Sequence, residues 1–137
     1  MVILGIDIGH VRTGVAVCDK TELIASPVGT ITERRDEVLV EKLAALAAEK
    51  QAEMLVVGLP RNMDGSCGES AQRCQQLAAE LGEKTGLPVE LWDERLTTVS
   101  AIGFLNQTDT RGKKRKAVVD TVSAVIILED FLRSRRG

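Results

Sequence analysis

The stretch that most constrains the fold is Met54–Gly58 (MLVVG), apolar without a break. A run this short and this apolar is the mark of a strand covered on both faces. A helical stripe precedes it, with Leu39, Leu43, Leu46 and Ala47 within Glu33–Lys50. A second follows, with Ala71, Cys74, Leu77, Ala78 and Leu81 within Glu69–Thr85, and Gly86 as its C′ stop. Upstream, Met1–Asp7 and Thr13–Cys18 read as strands, and the Gly-His-Val-Arg-Thr-Gly stretch between them as a tight hairpin loop. A third strand is expected over Ser26–Ile31, with Thr32 as an N-cap for the helix after it. Downstream come a strand at Val89–Trp92 and helices over Leu96–Leu105 and Ala117–Leu132. A polar, basic stretch from Asn106 to Lys116 separates those helices. This order predicts an α/β sandwich in which a mixed sheet carries helices on its faces. Right-handed crossovers make the strands at Met54 and Val89 parallel to the first. Ligands of such sheets gather at the carboxyl ends of parallel strands, which here are Asp7, the loop from Gly58, and Asp93-Glu94.

The 137 residues suit one domain, 1–137. No apolar run reaches the ~20 residues of a membrane span. The first eight residues lack the basic region of a signal peptide and contain Asp7. Cys18, Cys67 and Cys74 show no C-x-x-C spacing, so reduced thiols in a cytoplasmic protein are expected. With His10 the only histidine, zinc-hydrolase motifs are excluded, and catalysis falls to carboxylates, lysines or carboxylate-held metals. The net charge of −2 hides an asymmetry. Residues 111–137 hold eight basic and three acidic side chains, a local +5 that leaves −7 on the first 110. A basic end of this kind either faces a polyanion or is a solvated tail.

Taken singly, the acids have ordinary structural readings. Asp7 suits a turn, Glu94 an ion pair with Arg95, and Asp120 the first turn of a helix carrying Val118, Val122, Val125 and Ile126. Taken together they repel, and carboxylates converging at one sheet edge need a cation or a proton to coexist. Hard divalent ions are bound by oxygen ligands and keep waters for a phosphate substrate. Side chains alternate along a strand, so Asp93 and Glu94 cannot both face the same way while extended, and one of them is expected as a ligand with the other as a supporting residue.

Five strings carry a resemblance: GIDIG at 5–9, TGVAV at 13–17, VVGLPRNMDG at 56–65, WDERLTT at 92–98 and KRKAVVDTVSAVIILEDFL at 114–132. Together and in this order the chain resembles the YqgF family of small bacterial RNase H-like nucleases, also called RuvX. The resemblance implies an RNase H-like fold with a mixed five-stranded sheet and helices on both faces. It implies a nuclease hydrolysing phosphodiester bonds, which trims the 5′ end of precursor 16S rRNA in ribosome biogenesis. The alternatives are a Holliday junction resolvase in DNA recombination and a non-catalytic nucleic-acid-binding module. Carried over by position, Asp7, Glu94 and Asp120 form the acidic triad and hold Mg²⁺ or Mn²⁺, which lowers the pKa of a bound water for attack on phosphorus. Arg12, Arg95, Lys113, Lys114 and Arg115 are the expected phosphate contacts. Asn62 and Asp64, in the loop after Gly58, orient a ligand or water or else form turns. The partner is nucleic acid, with no membrane, for a monomer or homodimer. Two departures stand out. Only Arg12 supplies charge between Gly9 and Gly14, where the family often has several basic residues. Aromatic residues are few (Trp92, Phe104, Phe131), so recognition leans on backbone charge and shape rather than base stacking.

Overall fold

The computed structural model describes residues 1–60, 68–93 and 112–136; within the last segment it describes the side chains of 122–135. The sequence opens with three antiparallel strands, β1 (Ile3–Asp7), β2 (Arg12–Cys18) and β3 (Ala25–Thr32). Then follow α1 (Asp36–Glu49), β4 (Met54–Leu59), α2 (Glu69–Thr85), β5 (Val89–Asp93) and α3 (Gly112–Arg136). β4 pairs parallel with β1, and β5 parallel with β4. The sheet order is β3-β2-β1-β4-β5, so three parallel strands end along one edge.

Alternation along the strands builds two apolar layers. Leu4, Ile6, Val15, Leu55, Val57 and Leu59 pack against Leu39 and Leu43 of α1 and Ala71, Cys74, Leu77 and Leu81 of α2. Ile3, Ala16, Cys18 and Val56 face the other way, against Ala124, Ile127, Leu128, Phe131 and Leu132 of α3. The unbroken apolar run at 54–58 thus has its physical cause: α1 and α2 cover one side of β4, and the α3 layer covers the other. Full burial of a Leu or Ile side chain is worth about 1.5–3 kcal/mol, so β4 anchors the sheet.

α3 lies directly on β1. A β-carbon at Gly5 would stand 2.9 Å from Leu128 Cβ and 3.3 Å from the Ala124 carbonyl oxygen. At the far end of the helix, Arg135 Nε donates to Glu22 Oε1 at 2.9 Å, and the other oxygen of Glu22 holds the Met1 amino group at 2.9 Å. The C-terminal end of α3 therefore sits at the start of β1, and its N-terminal half leads toward the end of β1 that bears Asp7.

Most expected elements are present within a residue or two, and α2 has the expected bounds. Gly86 closes it in the left-handed conformation (φ 71°), its N–H bonded to the Gly82 carbonyl. Two expectations are corrected. Thr32 does not cap α1: it is the last residue of β3, and Arg35 stands at the cap without a side-chain bond. The basic stretch before Ala117 is not a separator throughout, because α3 begins at Gly112 and takes in Lys113–Lys116. The helix expected over Leu96–Leu105 lies outside the described residues. Among the described residues no helix is long and apolar enough to cross a membrane. Cys18 and Cys74 are buried and in no disulfide; Cys67 lies outside the described residues.

Candidate active site

Asp7 is the last residue of β1. Its partner on β2 is Gly14, which pairs in turn with Thr30 of β3. On the other side the register runs from Ile3–Met54 to Ile6–Val57, which brings Asp7 level with Gly58. Gly58 pairs with Trp92 of β5. One row across the sheet therefore reads Thr30, Gly14, Asp7, Gly58, Trp92. Ile6 packs into the α1/α2 layer, so alternation puts Asp7 on the α3 face. Both positions level with it on the neighbouring strands are glycines, which add no side chain at that level. The outer end of the row is fixed by packing: the Trp92 ring meets Phe131 of α3 edge-on, centroids 6.0 Å apart and planes at 86°. The Trp92 indole nitrogen is buried without a hydrogen-bond partner among the described residues.

Asp93, the last residue of β5, pairs with Leu59, which belongs to the α1/α2 layer. Register thus puts Asp93 on the face opposite Asp7. β4 lies between β1 and β5, a backbone separation of about 10 Å at ~4.8 Å per strand. Glu94, with Arg95, Asn62 and Asp64, lies outside the described residues. Asp120 is in α3, one turn before Ala124, and its side chain is outside the described residues, as are those of Lys113, Lys114 and Arg115. The helix starts at Gly112, more than two turns upstream of Asp120. The first-turn dipole reading of Asp120 is therefore corrected, since that effect fades within one turn. Arg12 opens β2 and is half-buried; His10 is exposed in the loop before it. Among the described residues no three His, Cys, Asp or Glu side chains cluster closely enough to hold a metal.

The loop after Asp7 is held from three sides. At Gly9 the backbone packs so closely on the Arg12 carbonyl oxygen that a β-carbon would collide with it. The Glu33 N–H donates to the Val11 carbonyl at 2.8 Å. From α2, Arg73 Nη1 donates to the Gly9 carbonyl at 2.8 Å, while its Nε and Nη2 bond Asp36 Oδ1 of α1 at 3.1 and 2.8 Å. The sequence reading missed this link. Arg73 sits beside a recognisable apolar stripe, but its partners lie 37 and 64 positions away.

A mixed five-stranded sheet with helices on both faces and an acid ending its first strand is the architecture of RNase H-like resolvases. The chain superposes on *Thermus thermophilus* RuvC bound to a Holliday junction substrate with a TM-score of 0.63 at 12% identity, covering 100% of this chain and 96% of that one. A fowlpox virus resolvase bound to Holliday junction DNA gives 0.56 at 9% identity, over 100% of both chains. At these identities the likeness shows the fold. Sequence shows the family: residues 1–134 match RuvX, described as Holliday junction resolvase, and the chain belongs to that family. It is 40% identical over 139 residues to a *Lachnospira eligens* protein named "Putative pre-16S rRNA nuclease", covering 99% of each. A *Bacillus thuringiensis* protein of the same name is 40% identical over 137 residues, covering 98% of this chain and 100% of that one.

Proposed function

We propose that this protein is a divalent-metal-dependent nuclease that hydrolyses phosphodiester bonds, with precursor 16S rRNA as its substrate and Asp7, Glu94 and Asp120 as its acidic residues. The observation that carries the reading is the placement of Asp7 between Gly14 and Gly58 at the carboxyl edge of three parallel strands. The glycines on both sides add no side-chain bulk at the level of this carboxylate, and oxygen donors suit Mg²⁺ or Mn²⁺.

Two further relations support the donor set. Asp93 is on the wrong face for Asp7, which leaves the next acid in the chain, Glu94, as the donor proposed here. The direction of α3 favours Asp120: one helical turn beyond Ala124 is about 5.4 Å. That is close to the ~6.6 Å separating Gly5 from Asp7 along β1. When bound, such an ion supplies an activated water and offsets charge on the phosphate oxygens.

The protein's own side chains do the rest. Asp7 is fixed at a strand end rather than on a free loop, so its oxygens are pre-positioned. Arg12, Arg95 and the Lys113–Arg115 cluster hold the nucleic-acid backbone by charge, and binding weakens as salt rises. Asn62 and Asp64 orient the ligand from the loop after β4, and Asp93 supports the site from the opposite face. We take residues 1–137 as one nuclease domain acting in the cytoplasm, as a monomer or homodimer.

The family description favours a second substrate, a four-way DNA junction. Incubating the purified protein with Mn²⁺ and each substrate separates the two. Shortening of the precursor 5′ end with the junction left intact is expected. Symmetrical junction cleavage with the precursor untouched would overturn the rRNA assignment.

A further inference from the structure

We infer that Arg73 is a positioning residue for the Asp7 site, holding the loop that follows Asp7 in the shape that binds the cation. The inference rests on the metal-dependent reading above. One guanidinium joins three segments far apart in sequence. It donates to the Gly9 carbonyl, two residues beyond Asp7, and to Asp36 in the first turn of α1, from its own place in α2.

The arrangement is more than a surface ion pair. The Arg73 side chain is only 22% exposed, and a carbonyl of the loop takes one of its donors. Both bonds to Asp36 go to a single oxygen, Oδ1, at 3.1 and 2.8 Å, which fixes the plane of the guanidinium and so the direction of the bond to Gly9. Gly9 is closely packed, because a β-carbon there would collide with the Arg12 carbonyl oxygen. Movement at Gly9 is therefore transmitted to Asp7, two residues before it at the end of β1.

α2 follows the loop that begins at Gly58 and Leu59, so Arg73 also ties the helix behind that loop to the loop behind Asp7. Partners bonded to a metal ligand itself typically change metal affinity by about 10–100-fold when removed, and Arg73, which holds the backbone two residues beyond the ligand, belongs at the low end of that range.

The test is a Mn²⁺ titration followed by electron paramagnetic resonance, run on wild type, Arg73→Ala, Arg73→Lys and Asp36→Asn, with melting temperature and RNA affinity in EDTA measured alongside. Arg73→Ala is expected to weaken Mn²⁺ binding by about tenfold. Arg73→Lys and Asp36→Asn should lie between it and wild type, and RNA affinity without metal should stay at the wild-type value. Unchanged Mn²⁺ affinity in variants that merely melt earlier would overturn the inference and leave Arg73 a structural tie. A loss of RNA affinity in EDTA as large as the loss of Mn²⁺ affinity would overturn it in favour of a direct phosphate contact. Absence of Mn²⁺ binding by wild type would remove the metal-dependent reading and this inference with it, so the two failures are distinguishable.

Discussion

Gly5 of β1 and Leu128 of α3 touch so closely that a single added methyl group has nowhere to go: it would lie 2.9 Å from Leu128 Cβ. This contact sets the height of α3 above the sheet, and so the level at which the helix passes the Asp7 edge. Gly5→Ala is expected to destabilise the protein by about 1–3 kcal/mol, the usual cost of overpacking. For a chain of this size each kcal/mol lowers the melting temperature by about 4 °C. Activity should fall further than stability alone explains, because the helix carrying Asp120 is pushed outward. Thermal melts and cleavage rates at a temperature where the variant is fully folded check both parts.

Thr13 is fully buried on the α1/α2 side of β2, and its hydroxyl has no hydrogen-bond partner among the described residues. Burying an unsatisfied hydroxyl costs about 1–3 kcal/mol, whereas valine has nearly the same shape and no such cost. Thr13→Val is therefore expected to leave stability unchanged or raise it by up to about 1 kcal/mol. A denaturant midpoint that falls clearly below wild type would show that the hydroxyl is bonded in solution.

Glu33 joins the end of β3 to α1. The Arg35 backbone N–H donates to its carboxylate at 3.1 Å and Lys42 Nζ at 3.1 Å, and these bonds hold its pKa down from 4.5 to about 2. A carboxyl whose pKa is lower folded than unfolded binds fewer protons in the native state. Its stabilisation is thus present above pH 4.5 and lost as pH falls through about 2. Glu33→Gln should melt below wild type at pH 7, and the gap should close progressively between pH 4.5 and about 2. Melts across that range check it; a gap of constant size would assign the effect to packing instead.

Cys18 is buried between β1 and β2, where the Ile3 N–H donates to its sulfur at 3.2 Å and the thiol reaches the Met1 carbonyl at 3.4 Å. Burial pushes its pKa above the usual thiol value, so it stays protonated and inert at neutral pH. Iodoacetamide at pH 7.5 should leave Cys18 unmodified in the native protein and label it fully in denaturant, as read by peptide mass mapping.

Much of the architecture was legible because each signal was local. The unbroken run at 54–58 demanded cover on both faces, and the stripes of α1 and α2 supplied one of them. The hairpin glycines and the stop at Gly86 needed only backbone sterics. The start of α3 was misplaced because Lys113–Lys116 carry no apolar periodicity, yet basic residues are good helix formers. Thr32 has the chemistry of a cap but was claimed by the β2–β3 ladder, which extends to Arg12–Thr32. At the site, Asp7 was readable from its place after an apolar strand. The glycines beside it, the opposed face of Asp93 and the reach of Arg73 were not, since each depends on strand register or on tertiary packing.

The most direct test of the account replaces one oxygen donor. Asp7→Asn keeps the size of the side chain and removes its charge. Mn²⁺-dependent cleavage of precursor 16S rRNA is expected to drop by at least about a hundredfold, the scale on which losing one preorganised electrostatic group slows catalysis. Affinity for the same RNA in EDTA and the melting temperature should stay near wild type. Cleavage by Asp7→Asn at the wild-type rate would contradict it.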